Sequence, residues 1–162
     1  MTGALLNGWW VSTGFQAQSG YPFSVAINQS RSRAMVGGNT GAIDRPNVLP
    51  GRNPENITSG TTAGCLGVAP GQELGTKNLY FDPCAFSIPS AGFFGDAPRN
   101  FLRGPGYQTV DVSLVKDTRV GLLGPEGSIQ FRAEVFNLLN RVNFGMPNRI
   151  LFAGTGPATG AI

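Results

Sequence analysis

Three stretches of this sequence alternate apolar and polar residues with a period of two, and a long segment rich in glycine and proline, residues 28–106, separates the first from the second. A period of two puts successive side chains on opposite faces of an extended strand, so each stretch has one apolar and one polar face. In the first, Trp9, Val11, Thr13, Phe15 and Ala17 alternate with Trp10, Ser12, Gly14, Gln16 and Gln18. In the second, Val110, Val112, Leu114 and Lys116 alternate with Asp111, Ser113, Val115 and Asp117, an apolar row that ends in one long cation able to snorkel to an interface. In the third, Ile129, Phe131, Ala133 and Val135 alternate with Gln130, Arg132, Glu134 and Phe136.

The segment GLLGPEG at 121–127 supplies a turn, so the last two stretches form an antiparallel hairpin. A six-residue turn at 121–126 predicts Val112 opposite Val135, Leu114 opposite Ala133, Ser113 opposite Glu134 and Asp117 opposite Gln130. Strands are therefore expected near 8–19, 107–119 and 128–139, all in one antiparallel sheet. Phe131, Val135, Leu138 and Val142 also fall at helical spacing, which leaves a helix as the alternative there. The clean alternation of SIQF favours the strand. So does the series Asn137, Asn140 and Asn143 before Gly145 and Pro147, which suits an aqueous loop.

Residues 28–106 hold most of the turn punctuation, including GGNTG at 37–41, RPNVLPG at 45–51, APG at 69–71 and RGPG at 103–106. They read as one very long loop. Loops beyond about 12–15 residues are uncommon inside compact soluble domains, whereas outer-membrane barrels carry long ones on the extracellular side. Phe23, Val25 and Ile27 alternate again after Gly20, Tyr21 and Pro22, as if the first strand continued past a bulge. Cys65 and Cys84, both inside the loop, read as a disulfide worth roughly 3 kcal/mol by loop entropy, with two free thiols as the alternative.

Composition removes most enzyme classes. The chain has no histidine and two cysteines, which excludes His-based triads, mixed Cys/His zinc sites and four-thiolate sites. Asp111, Asp117 and Glu134 are close in the expected hairpin, but with Arg132 beside them they read as a charge ladder and not as an acid/base pair. GTGPATG at 154–160 has the glycines of a phosphate loop without its lysine. No enzymatic activity, cofactor or metal is expected. The net charge of +3 is spread over scattered lysines and arginines interleaved with acids, with no basic stripe, so nucleic acid is not expected as a partner. The start, MTGALLNGWWVSTGF, does not read as an export signal, and no apolar run is long enough for a transmembrane helix. A membrane β-barrel remains, since its strands need only about 9–11 alternating residues each. A secreted β-sandwich that binds carbohydrate or another surface partner is the alternative.

The ordered set GWWVSTGFQAQSGYPFSV, DRPNVLPG, FDPCAF, FGDAPRNFLRGPGYQTVDVSLVKDTRV and IQFRAEVFNLLNRVNFGMPN resembles the C-terminal end of TonB-dependent outer-membrane receptors of the Oar-like kind, which also tend to carry a carboxypeptidase-regulatory-like domain. The resemblance spans roughly residues 8–148. It implies an all-β chain, the antiparallel strands of an incomplete transmembrane barrel with one very long extracellular loop and the final strand missing. It also implies a location in the bacterial outer membrane and uptake of a bulky extracellular ligand driven by TonB. Partners would be outer-membrane lipid and the remaining strands and plug of the parent receptor; the chain alone would not transport.

In such a barrel the apolar row Trp9, Val11, Phe15, Val110, Val112, Leu114, Ile129, Phe131, Ala133 and Val135 would face lipid, with Trp9 in the inner aromatic girdle. The polar row Gln16, Gln18, Asp111, Ser113, Asp117, Gln130, Arg132 and Glu134 would face the lumen.

Overall fold

The computed structural model describes residues 6–28, 31–34 and 44–152. In chain order the strands are β1 (Trp9–Gln18), β2 (Pro22–Phe23), β3 (Ala26–Ile27), β4 (Asn47–Val48), β5 (Phe86–Ser87), β6 (Leu102–Arg103), β7 (Tyr107–Arg119), β8 (Ser128–Val135) and β9 (Ile150–Leu151). One short helix, α1 (Pro54–Thr58), lies between β4 and β5. The chain divides into a first unit, Met1–Ser19 with Gly106–Asn143, and a second, Gly20–Pro105 with Phe144–Ile162.

The first unit is one antiparallel sheet in the order β1-β7-β8. No helix forms at 128–139, because Ile129, Phe131, Ala133 and Val135 bring one continuous apolar row against β7 only in the extended form. A turn of 3-10 helix at Gly121–Leu123 and the Val120 N–H donating to the Gly127 carbonyl at 2.9 Å join β7 to β8. The register pairs Val112 with Val135, Leu114 with Ala133, Ser113 with Glu134 and Asp117 with Gln130, as the turn length predicts. On the other side of β7, Val11 pairs with Leu114 and Phe15 with Val110. Gly8, at φ +81°, immediately precedes β1; a Cβ there would lie 2.3 Å from the carbonyl oxygen of Asp117, the residue whose N–H donates to the Gly8 carbonyl.

The third strand ends at Val135, four positions short of the expected 139. Asn137 and Asn140 adopt left-handed backbone at φ 50° and 47°, a region asparagine tolerates better than most residues, and the Asn137 N–H donates to the Asp111 carboxylate at 2.8 Å. That bond turns the chain out of the strand. The Asn143 side chain then pairs with Gln108 at both its backbone groups, accepting from the N–H at 2.9 Å and donating to the carbonyl at 3.0 Å.

The connection read as one long loop, residues 28–106, carries a packed core of its own in the second unit. Its core gathers Phe23, Val25, Ile57, Phe81, Ala85, Phe86, Leu102 and Leu151, all buried. Phe81 sits at the centre, its ring 5.9 Å from that of Phe23 and 6.1 Å, edge-on, from that of Phe86. Among the described residues its strands pair over two residues each: β2 with β6 and β4 with β5 antiparallel, β3 with β9 parallel. Phe23, Val25 and Ile27 therefore do not extend β1 past a bulge; they are core residues of this unit, and burial of all three explains their spacing.

Asparagine capping holds α1: Asn53 accepts the Asn56 N–H while the Asn56 side chain accepts the Asn53 N–H, and Pro54 opens the helix. The Ile57 carbonyl accepts the Asp82 N–H at 2.8 Å. The carboxylate of Asp82, 1% exposed, accepts from the Thr62 hydroxyl at 2.7 Å, the Cys84 N–H at 3.1 Å and the Arg52 guanidinium. A buried carboxylate satisfied on this many sides compensates its own desolvation. Tyr80 donates to the Arg103 carbonyl at 2.9 Å, and burial raises its phenol above the ordinary value.

Cys65 and Cys84 are disulfide-bonded, with Cα atoms 5.5 Å apart. The bond ties a narrow ribbon, closed by Thr61 bridging to Glu73 and Cys65 to Val68, onto the turn at Pro83–Ala85. Val68, Leu74 and Leu79 form a small second core against Cys84. Alkylation of the oxidised protein is expected to modify neither cysteine before reduction, read by intact mass. Modification of both thiols without reductant would remove this staple. The expected stabilisation from the bond is about 3 kcal/mol.

Candidate functional site: the two faces of the sheet

The register assembles the candidate residues into rows that cross all three strands. On one face Val11, Leu114 and Ala133 form a row, Thr13, Val112 and Val135 the next, and Trp9, Lys116 and Phe131 the one nearest the short turn. Phe15 and Val110 lie toward the other end, and Ile129 lies beside Thr118. Every residue of the expected apolar set is on this face. Val11 is 70% exposed and Phe131 61%, so within the sheet nothing covers them. Exposed apolar area of this extent and continuity is unusual for a surface that meets water.

The cation at the end of the apolar face is tied down. The Lys116 ammonium lies 5.3 Å from the centroid of the Trp9 ring and donates to the Asn7 carbonyl. An aromatic amphiphile with a lysine at one end of an apolar face is the arrangement that anchors a strand at a membrane interface.

The opposite face carries the polar set. Ser12, Ser113 and Glu134 form one row and Trp10, Val115 and Arg132 another, while Gln16 and Gln18 lie beside Thr109 and Tyr107. Gln130 donates from Nε2 to the Asp117 carboxylate at 2.8 Å across the strand pair. The Arg132 guanidinium and the Glu134 carboxylate are 3.7 Å apart along β8, both largely exposed. Asp111 is committed to the Thr109 hydroxyl at 3.2 Å and the Asn137 N–H at 2.8 Å. Asp111 thus takes a backbone N–H and a hydroxyl and Asp117 a side-chain amide, and such hydrogen bonds from neutral donors give this face its local order. Sequence reasoning missed the Asp111–Asn137 bond, whose only signal is an asparagine two residues past the end of a strand.

Cys65 and Cys84 lie outside the sheet, in the second unit. The last expected feature, the glycine-rich 154–160, lies outside the described residues.

The central strand β7 is paired on both sides, while β1 and β8 each keep one edge without a partner among the described residues. Three strands do not close a barrel. A sheet with one lipophilic face, one hydrated face and two edges awaiting neighbours has the build of a wall segment of a transmembrane β-barrel. The family comparison agrees with that class. The model of the outer membrane beta barrel domain matches residues 1–162, and the chain belongs to that family, which places it in the bacterial outer membrane. Comparison with curated proteins and with solved structures gave no match.

Proposed function

We propose that the chain is part of the barrel wall of a TonB-dependent receptor of the Oar-like kind, which binds a bulky extracellular ligand and takes it up, with no catalytic role of its own. The observation that carries this reading is the asymmetry of the sheet: one end closes in the short turn between β7 and β8, and the other emits the whole segment Gly20–Pro105. In outer-membrane barrels short turns are periplasmic and long connections extracellular. On that orientation Trp9, Lys116 and Phe131 sit at the inner interface, and the connection from β1 to β7 leaves the sheet at its outer end. Trp9, Val11, Phe15, Val110, Val112, Leu114, Ile129, Phe131, Ala133 and Val135 face lipid. Gln16, Gln18, Asp111, Ser113, Asp117, Gln130, Arg132 and Glu134 face the lumen. The motifs that resemble the receptor family support the finer assignment, including a plug and a TonB-contacting segment elsewhere in the parent.

The face assignment has a direct test, because both tryptophans of the chain are in β1 and point to opposite sides. In vesicles of brominated phosphatidylcholine, the Trp10→Phe variant, which keeps Trp9, is expected to be strongly quenched, and the Trp9→Phe variant only weakly. Equal quenching of the two overturns the assignment. TonB dependence has a separate test in the coding sequence around the chain, where a plug domain and a TonB box are expected upstream in the same frame. A continuous frame that encodes more strands and no plug makes the parent a passive barrel.

A further inference from the structure

We propose that Arg45, Arg99 and Arg149 form a binding site for an oxyanion, a phosphate or carboxylate group carried by a larger ligand. The three arginines line one cleft of about 430 Å³ in the second unit, together with Ser24 and Asn100. They reach it from three segments far apart in sequence, and hydrogen bonds fix the Arg45 side chain and the backbone at or beside Arg99 and Arg149. Arg45 donates from one terminal nitrogen to the Ala97 carbonyl at 2.6 Å, which leaves its other N–H groups free to bind. The Arg149 carbonyl accepts the Ala26 N–H at 2.9 Å where β3 meets β9. Asn100, at φ 54°, donates its N–H to the Ser24 hydroxyl at 2.8 Å, which sets the corner that carries Arg99.

Among the described residues no acid lines the cleft. The two nearest acids in sequence are already committed: Asp44 accepts the Ser32 N–H at 2.7 Å and its hydroxyl at 2.9 Å, and Asp96 accepts the Val48 N–H at 2.7 Å. Two arginines outside the cleft are ion-paired, Arg52 with buried Asp82 and Arg132 with Glu134. Arg99 and Arg149 have no ion pair among the described residues. Three permanently charged arginines line this one concavity, and the planar forks of guanidinium groups match the oxygens of phosphate and carboxylate. A cleft of this volume exceeds what a bare ion needs and falls in the range of small-molecule sites. Soluble organic phosphates or polycarboxylates and the phosphate groups of outer-membrane lipid share this chemistry.

Calorimetry on the full chain in a non-ionic detergent, with inorganic pyrophosphate as probe, is expected to show saturable binding that weakens as salt rises. Arg99→Gln and Arg149→Gln are each expected to weaken it about tenfold, with partial recovery in Arg149→Lys. Arg119→Gln, at the end of β7, should leave it unchanged. Unchanged amide-exchange protection at α1 and β6 confirms in each variant that the second unit is folded. Absence of saturable binding, or equal weakening by Arg119→Gln, overturns the site. A second arm titrates micelles containing phosphatidylglycerol against bound pyrophosphate; displacement assigns the site to lipid phosphate and its absence to a soluble ligand, both with the oxyanion chemistry intact. This site is independent of the face assignment, since one is read by heat at the arginines and the other by quenching at the tryptophans.

Discussion

Val112→Arg in the membrane-embedded protein is expected to cost about 2–4 kcal/mol, measured by reversible unfolding from vesicles or detergent, because on the proposed orientation the new cation lies in hydrocarbon with neither water nor counter-ion. Val112 is in the central strand, between Thr13 and Val135, so the arginine has no short path to either interface. Ser113→Arg, one residue along, should cost much less. Its side chain projects to the polar face, where Glu134 is its cross-strand partner and supplies a counter-charge. Equal losses for the two variants would contradict the assignment of one face to lipid and the other to the lumen.

Phe81→Ala is expected to cost about 3–5 kcal/mol, the range for emptying an aromatic site in a packed core. Phe81 is fully buried and touches rings on both sides, Phe23 and Phe86, which belong to different strand pairs and cannot both move into the space. Amide exchange is the suitable readout, because it separates local from global opening. Faster exchange at α1 and β6 with unchanged protection in β7 is the expected pattern. Protection that falls equally in β7 would mean that the second unit has no core of its own.

These two variants fall on opposite sides of what could be read from the residues. The sheet was legible because period-two alternation assigns faces without knowledge of the partner, and because a short turn at 121–126 sets the β7-β8 register, down to Val112 opposite Val135. The end of β8 was not, since Phe136, Leu138 and Leu139 look as apolar as the strand before them and the Asp111 carboxylate decides the matter from another strand. The second unit left almost no trace. Its core residues Ile57, Phe81, Leu102 and Leu151 stand alone or in apolar runs too short to show a period, set among turn residues, and two-residue strands have no period to detect. The three arginines of the cleft were invisible for the same reason, as their proximity comes from contacts between segments and not from spacing. The disulfide was easier, because two cysteines in one excursion have few other uses.

The way the second unit holds its own ends bears on the order in which the chain folds. Joining β1 to β7 through an unstructured Gly20–Pro105 would cost about 4 kcal/mol of closure entropy before any ladder bond formed. Yet β2 pairs with β6 immediately inside those ends, Pro22 opposite Arg103, and Gly20 approaches Gly104 so closely that a Cβ on it would lie 1.7 Å from the carbonyl oxygen. Once that pairing exists, Gln18 and Tyr107 are joined by what is effectively a tight hairpin, and β1 can zip onto β7 as a local event. Pulse-labelled exchange should therefore find β6 and the β7-β8 hairpin protected early and β1 late. An insertion that looks like an obstacle to assembly then becomes the step that makes the first strand's arrival fast.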